Sequence, residues 1–367
     1  MTSALGAALL LLLAALASGC GGLAKPEGWA APVPAGDGVL LVHDRHGAVS
    51  AVRIDPQPSA ALWTFPPDKD LQERATAFYA TPVIDRSSGR PRAFLVAYSG
   101  DVFAVDLQTG RPVDGWPATV NVGARVFATP VFDGTRLLVA TNRGNVVPVD
   151  AATGRVDPVL VHGDGRVWSA PLLAGSVLLL GNVDHTLRAV NPRTGDLEWT
   201  RDLGGAVAGD ATIDGTTLLV GTLESRLVAI DLAAEGATRW TFTGDHWFWA
   251  RPLVEGDTVY AATVAGRVHA FSRDGTERWR SEDLGVEVRA APALAGGTLI
   301  IATRGGAVIG LDPANGREQW RSQVDGARFL ADPLVVGGDV FLTTSNGELV
   351  RARPATGGAL EQIYKRS

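Results

Sequence analysis

Short apolar segments separated by glycine-containing turns recur along most of the chain. Each repeat has a small residue, any residue, a proline, two apolar residues, a Gly turn, an apolar strand, a second Gly turn and another strand. The proline, here called the anchor, is replaced once by Ala211, and it recurs at Pro32, Pro82, Pro130, Pro171, Pro252, Pro292 and Pro333. Successive anchors are 50, 48, 41, 40, 41, 40 and 41 residues apart. This period predicts eight copies of one structural unit, with insertions in the first two.

The seventh repeat shows which strands a unit contains. Residues 293–295 predict a short inner strand, and residues 298–303 and 307–312 predict a hairpin around Arg304-Gly305-Gly306. Residues 318–321 predict an outer strand. Short apolar runs bounded by Gly or Asn are typical of strands in tight antiparallel sheets. Each repeat therefore predicts a four-stranded antiparallel sheet.

Two further features recur at a fixed phase of the repeat. The turn Asp312–Gly316 recurs at 106–110, 150–154 and 191–195; its Asp or Asn can accept backbone N–H bonds, and its Gly can take a positive φ. A tryptophan follows the turn glycine by four residues at Trp199, Trp240, Trp279 and Trp320. We expect these rings to wedge between neighbouring sheets.

A ring explains these repeats better than an open stack. An open stack needs polar capping repeats, whereas a ring brings its ends together. The first and last repeats carry no such cap. The sequence therefore predicts an all-β fold over residues 29–367, an eight-bladed β-propeller of four-stranded antiparallel blades. No tryptophan is followed by Asp, so the repeats are not of the WD40 type.

The N-terminus predicts export and lipid anchoring. Residues 1–19 form an apolar Ala- and Leu-rich run that ends in small residues, as in a signal peptide. The only cysteine, Cys20, follows Ala17-Ser18-Gly19, which resembles the bacterial lipobox except that Ala17 stands where Leu is usual. We expect residues 20–28 to be a lipid-anchored tether that holds the protein in the cell envelope. A plain secretory signal and an uncleaved membrane anchor are the alternatives.

Charge and cysteine content argue against nucleic-acid binding and exclude stabilisation by an intrachain disulfide. The chain has 33 Lys and Arg against 39 Asp and Glu, a net charge of -6, and no run of like charge. A basic nucleic-acid-binding face is therefore not expected. A single cysteine excludes an intrachain disulfide, so the fold must be stable through its core alone.

The anchor, the Asp-x-x-Thr-Gly turn and the following tryptophan together resemble the pyrroloquinoline-quinone-type propeller repeat, across residues 29–364. An eight-bladed domain behind a lipobox is most similar to the BamB family of outer-membrane assembly lipoproteins. That resemblance implies a non-catalytic, protein-binding scaffold at the periplasmic face of the outer membrane. Its partners would be envelope proteins, including the β-barrel assembly machinery.

The same superfamily suggests an alternative, a small-ligand sensor or a quinone-dependent dehydrogenase. Those enzymes are generally much longer, many carry a vicinal disulfide, and they gather acidic and amide ligands around Ca²⁺. The sequence shows no such ligand cluster, so neither enzyme activity nor a cofactor is expected.

Three groups of residues are candidates for binding. The position three residues before the anchor holds Trp29, Tyr79, Phe127, Trp168, Ala208, Trp249, Arg289 and Leu330. Its aromatic members could form an apolar mouth around the axis, or they could pack between blades. One residue before the anchor, Asp210, Arg251 and Asp332 should face a wet channel or form pairs, such as Asp210 with Arg251.

The aromatic segment His246-Trp247-Phe248 could anchor a protein partner or pack in the core. The six histidines, at positions 43, 46, 162, 185, 246 and 269, are scattered, so no metal site is expected. The insertions Pro66–Ala77 and Arg86–Arg92 break the regular period, which favours partner binding by loops of the early blades.

Overall fold

Eight antiparallel sheets follow one another along the chain. The computed structural model describes residues 30–44, 47–55, 60–67, 77–87, 89–163 and 166–365. Within these residues there are 31 strands and two short 3-10 turns, Leu232–Ala234 and Pro354–Thr356. Neither turn is long enough to cross a bilayer, and no other helix occurs in the described ranges.

The first four sheets, blades 1 to 4, contain fifteen of the strands. Blade 1 consists of β1 (Val33–Gly36), β2 (Val39–His43), β3 (Val49–Arg53) and β4 (Ala61–Phe65). Blade 2 consists of β5 (Val83–Asp85), β6 (Arg92–Val96), β7 (Asp101–Asp106) and β8 (Val120–Asn121). Blade 3 consists of β9 (Val131–Phe132), β10 (Arg136–Ala140) and β11 (Val146–Asp150). Blade 4 consists of β12 (Leu172–Ala174), β13 (Val177–Gly181), β14 (Thr186–Val190) and β15 (Leu197–Asp202).

The second four sheets, blades 5 to 8, are all four-stranded. Blade 5 consists of β16 (Thr212–Asp214), β17 (Thr217–Gly221), β18 (Arg226–Asp231) and β19 (Ala237–Thr243). Blade 6 consists of β20 (Leu253–Glu255), β21 (Thr258–Ala262), β22 (Val268–Ser272) and β23 (Glu277–Arg280). Blade 7 consists of β24 (Ala293–Ala295), β25 (Thr298–Ala302), β26 (Ala307–Leu311) and β27 (Glu318–Gln323). Blade 8 consists of β28 (Leu334–Val336), β29 (Asp339–Thr343), β30 (Leu349–Arg353) and β31 (Ala359–Tyr364).

This architecture confirms the predicted eight-bladed propeller. Each blade is built from consecutive strands in chain order, and no strand of the described ranges is exchanged between blades. Blade 7 has the four strands expected from its repeat, and its outer strand continues two residues further, to Gln323. Blade 3 differs from the predicted four strands. Its fourth position is held only by isolated bridges, Val149 with Val156 and Val146 with Val161.

Tryptophans in or near the outer strands join neighbouring blades, as predicted for Trp199, Trp240, Trp279 and Trp320. The indole of Trp279 lies against Gly316 in the turn of blade 7 and donates its Nε1–H to the Pro313 carbonyl at 3.0 Å. A Cβ atom on Gly316 would lie 2.5 Å from that indole ring. The same packing recurs for Trp63 with Gly110, Trp116 with Gly154, Trp199 with Gly236, Trp240 with Gly275, and Trp320 with Gly358. The glycine is therefore required both by its positive φ and by the ring packed on it.

The ring closes by side-chain packing between blades 8 and 1. Their strands share a core cluster that includes Leu40, Val52, Phe341 and Ile363. Arg351 of β30, only 4% exposed, reaches into blade 1 and donates from Nη2 to the Ile54 carbonyl at 2.6 Å. The same guanidinium pairs with Asp55 at 3.1 Å. Two further hydrogen bonds join these blades, from the Thr343 hydroxyl to the Ala30 carbonyl and from the Tyr364 hydroxyl to Ser50 Oγ, each at 3.3 Å.

The tryptophan wedge can be tested with two glycine substitutions. Gly316 and Gly326 have nearly equal φ values, +73° and +71°, but a Cβ atom on Gly326 would have nothing within 4 Å. Both changes to Ala should cost about 1–2 kcal/mol for the left-handed backbone. Gly316→Ala should cost about 1–3 kcal/mol more, because it overpacks the Trp279 ring. Urea unfolding measures both free energies, and equal losses would show that the wedge does not stabilise the ring.

Candidate binding site at the axial mouth

The segments that connect consecutive blades alternate between buried and partly exposed residues. Residues four positions before the anchor are at most 1% exposed, and they are Phe78, Val126, Val167, Val207, Phe248, Val288 and Phe329. In the next position, three before the anchor, Tyr79, Phe127, Trp168, Trp249, Arg289 and Leu330 are all half-buried, whereas Ala208 is buried. Extended backbone turns successive side chains to opposite sides, which explains the alternation.

This alternation decides between the two interpretations of the aromatic segment, partner binding and core packing, for Phe248. Phe248 is 1% exposed and packs against Phe242, with ring centroids 6.3 Å apart, so it is a core residue and cannot anchor a partner. His246 and Trp247 remain half-buried at the surface. The Nδ1 atom of His246 accepts the backbone N–H of Trp247 at 2.9 Å, which fixes the two rings beside each other.

Three half-buried rings of blades 2 to 4 form an aromatic wall, defined as Tyr79, Phe127 and Trp168. The Tyr79 and Phe127 centroids are 5.5 Å apart, and those of Phe127 and Trp168 are 6.2 Å apart. Equivalent points on eight blades are about 45° apart, so these separations place the rings roughly 7–8 Å from the axis. The rings therefore contact one another between blades and also border an axial opening. Trp29, the remaining aromatic candidate of this position, lies outside the described residues.

Across the opening lies a polar wall, defined as Trp249, Glu287, Arg289 and Arg304. The Arg289 guanidinium lies 4.9 Å from the centroid of the Trp249 ring and pairs with Glu287 at 2.5 Å. Glu287 also pairs with Arg304 at 2.7 Å. These two arginines hold the pKa of Glu287 below its ordinary value, although its partial burial works in the opposite direction. The polar wall is thus charge-paired, whereas the aromatic wall is apolar.

An ion pair lies at the next level along the axis. Arg251 Nε is 3.0 Å from Asp332 Oδ2, and these residues belong to blades 6 and 8. The predicted pair of Asp210 with Arg251 is therefore wrong. Arg251 can reach past blade 7 because Ala291, the residue of that blade in this position, has a small side chain. The bridge across a whole blade narrows the axial opening below the mouth.

The two aspartates also join adjacent blades. Asp210 Oδ1 accepts the Ala170 N–H at 2.6 Å, and Asp332 Oδ1 accepts the Ala291 N–H at 2.8 Å. Thr129 and Thr81 accept backbone N–H groups in the same position of blades 2 and 1. A polar side chain one residue before the anchor thus accepts a backbone N–H hydrogen bond from the preceding blade. Four of the interfaces share this bond, which the sequence pattern alone did not reveal.

The environment of Asp210 favours its neutral form. Burial among the inner strands raises the pKa of this carboxyl above its ordinary value, and the nearby Asp332 carboxylate adds to the rise. The Ala170 N–H and the Arg251 cation oppose the shift. Asp210 is half-buried.

The histidines do not converge. His43 and His269 are buried, His162 and His185 are exposed, and His46 lies outside the described residues. No group of three or more His, Cys, Asp or Glu side chains that could hold a metal ion occurs among the residues that the structure describes.

The early blades contain the insertion Arg86–Arg92 and one further aromatic side chain, Tyr98. Arg86 and Arg92 flank the turn between β5 and β6, where Arg92 pairs with Asp85 at 2.9 Å and Arg86 bonds the Pro34 carbonyl of blade 1. This insertion joins blades 1 and 2. Most of the other insertion, Pro66–Ala77, and the lipidation candidate Cys20 lie outside the described residues. Tyr98 was not predicted, yet its ring lies 5.1 Å from that of Phe127, between ring centroids, and so adjoins the aromatic wall.

Comparison with known protein families supports the repeat assignment. A family model described as the outer membrane protein assembly factor BamB matches residues 28–156, 113–208 and 183–366. The curated BamB of Burkholderia pseudomallei is 25% identical over 154 residues, 40% of each chain. An uncharacterized protein of Rickettsia prowazekii is 23% identical over 199 residues, 52% of this chain and 45% of that protein. The chain thus matches less than half the length of either curated relative.

Solved structures with the same fold include a BamB, a designed protein and a yeast protein. The crystal structure of BamB from Moraxella catarrhalis has a TM-score of 0.71 at 20% identity, covering 89% of this chain and 97% of that one. The computationally designed Ika8 protein and Sqt1 of Saccharomyces cerevisiae each have a TM-score of 0.69, at 13% and 12% identity. Each covers 89% of this chain and 96% of its own. These likenesses concern the fold alone, since unrelated functions share it.

The buried histidine of blade 6 should make stability depend on pH. His269 is 1% exposed, and its Nδ1 atom lies 2.8 Å from Glu277 Oε1. Burial lowers the pKa of this imidazole below its ordinary 6.5, although Glu277 opposes the shift. The unfolded chain then binds a proton that the folded chain does not, so stability should fall as the pH drops below about 6.5.

Substitution of this histidine tests the assignment. His269→Phe should flatten the loss of unfolding free energy between neutral and mildly acidic pH, measured by urea unfolding at each pH. The matched control is His162→Phe at an exposed position. A pH profile that His269→Phe leaves unchanged would contradict the assignment.

Proposed function

This chain belongs to the family of the outer membrane protein assembly factor BamB, and we propose that it is a non-catalytic, protein-binding scaffold of the cell envelope. In this proposal a lipid on Cys20 anchors it at the periplasmic face of the outer membrane. Its partners are envelope proteins, among them components of the β-barrel assembly machinery. Membership of the BamB family supports envelope proteins as the partners. The axial mouth supports binding of a partner segment at the end of the propeller axis.

The aromatic wall is the observation that carries the proposal. Tyr79, Phe127 and Trp168 are half-buried rings held on a rigid ring of sheets. Aromatic side chains of this kind act as energetic centres of protein interfaces, because they bury large areas at little cost in side-chain entropy. The Arg251–Asp332 bridge narrows the opening below them, so a partner segment would rest at the mouth.

The polar groups of the mouth are bonded in ways that fit a structural role. Both oxygens of Asp332 are occupied, one by the Ala291 N–H and the other by Arg251. Glu287 is held by Arg289 and Arg304. Groups bonded in this way rigidify the rim, and a rigid rim lowers the entropic cost of binding.

Removal of a wall ring should weaken the binding of the partner. In affinity capture from envelope extracts, Phe127→Ala and Trp168→Ala should each reduce recovery of barrel-assembly components. The expected cost is about 2 kcal/mol, which corresponds to roughly thirtyfold in affinity. Mass spectrometry identifies and quantifies the captured proteins.

The exposed leucines of the outer strands provide the control. Leu62 and Leu197 are 53% and 58% exposed and lie in β4 and β15, far from the axis in their blades. Their change to Ala should leave recovery unaltered. If the unmodified protein captures no barrel-assembly component, the assembly role is excluded; if the wall variants capture as well as the leucine variants, partners bind elsewhere.

A further inference from the structure

A cleft between blades 2 and 3 opens beside the aromatic wall. It is lined by Ser99 of the turn between β6 and β7, by the segment from Asn121 to Arg125, and by Asn142 and Arg143 of the turn between β10 and β11. Its volume is about 450 Å³. Backbone bonds fix both sides, since Asn142 donates to the Arg125 carbonyl at 2.8 Å and Val126 donates to the Tyr98 carbonyl at 3.1 Å. The cleft is therefore a preformed feature of the ring.

Two exposed arginines border this cleft without an acidic partner. Neither Arg125 nor Arg143 forms an ion pair or a side-chain hydrogen bond with any residue that the structure describes. The Arg125 guanidinium lies 5.3 Å from the centroid of the Tyr98 ring, which orients its plane and leaves its N–H edge open. Arg289 and Arg304, across the mouth, are both paired with Glu287.

The Asp101 carboxylate beside the cleft is bonded within blade 2, to two residues that line the cleft. Asp101 accepts from the Ser99 hydroxyl at 2.6 Å and from the Asn121 amide at 2.7 Å, one bond on each oxygen. Neither bond involves Arg125 or Arg143, so the two arginines keep their hydrogen-bonding capacity. In a chain of net charge -6, this is a local positive site on a negative molecule.

We propose that this cleft binds an acidic peptide segment of a protein partner, with Arg125 and Arg143 bonding its Asp or Glu carboxylates. Guanidinium groups match the planar geometry of carboxylates, and charge-assisted bonds of this kind are about twice as strong as neutral ones. The Asn142 amide lines the same cleft and adds a neutral donor. The proposal rests on the scaffold function and specifies the chemistry of the partner.

The shape of the site favours a peptide over a membrane surface. The arginines border a concave cleft, and the Tyr98 ring continues directly into the aromatic wall through its 5.1 Å contact with Phe127. An extended chain can place an acidic side chain in the cleft and an apolar side chain on the adjacent rings. A flat layer of lipid headgroups would reach the arginines but not the bottom of the cleft.

Fluorescence anisotropy with labelled peptides tests the proposal on the purified protein. The probe is a peptide of alternating Glu and Gly, and a peptide of alternating Lys and Gly is the charge control. The unmodified protein should bind the Glu peptide in preference, with an affinity that falls as salt is raised. The double variant Arg125→Gln/Arg143→Gln should bind it roughly tenfold more weakly.

A matched double variant separates local contacts from overall charge. Arg111 and Arg193 are exposed and lie at turns between third and fourth strands, on the opposite face of the ring. Arg111→Gln/Arg193→Gln removes the same charge and should weaken binding less than twofold. A third variant, Asn142→Asp, places a carboxylate in the cleft and should also weaken binding, independently of either arginine change.

Three results would overturn the proposal: no preference for the Glu peptide, equal weakening by both double variants, or binding confined to vesicles of phosphatidylglycerol and phosphatidylcholine. The last result would identify a lipid site. Affinity capture distinguishes this failure from failure of the scaffold function. A protein that recovers barrel-assembly components but ignores the Glu peptide keeps the proposed function and loses the acidic-segment site.

Discussion

The closure of the ring between blades 8 and 1 is the contact on which the rest of the structure depends. Each of the other interfaces joins two blades that are consecutive in the chain. This interface instead joins the first blade to the last. It combines shared apolar packing with polar contacts, chiefly those of Arg351, which bonds the Ile54 carbonyl and Asp55. If this interface opened, two blade faces would be exposed to water, and the axial mouth would lose its fixed diameter. Binding at the mouth therefore presupposes closure.

The sequence predicted the parts of the fold that repeat. Strand positions in blade 7 and the interblade role of Trp279 follow from local rules: short apolar runs, a turn that needs positive φ, and a large ring at constant phase. Repetition multiplies such weak signals, because each copy is an independent observation of the same geometry. The half-burial of the position three residues before the anchor could also be predicted from the sequence, since side chains alternate along an extended backbone.

Three features could not be predicted from the repeat: a contact across the axis, the burial of one aromatic ring and the outer edge of blade 3. Arg251 pairs with Asp332 rather than Asp210, because side-chain reach past Ala291 decides the partner and sequence proximity does not. The sequence left both partner binding and core packing open for Phe248, because composition marks an aromatic segment, whereas only the phase of the backbone determines which of its rings enters the core. Blade 3 shows the same limit, since its outer edge is reduced to isolated bridges where the repeat predicted a strand.

Hydrogen exchange resolved by peptide mass spectrometry tests ring closure most directly. With blades 8 and 1 packed together, the amides of β2, β3, β29 and β30 are shielded on both faces. They should exchange as slowly as those of the central strands of blade 6, because opening either end would require breaking the shared core. Fast exchange confined to the strands of blades 1 and 8, with the other blades protected, would show an open array and contradict the account.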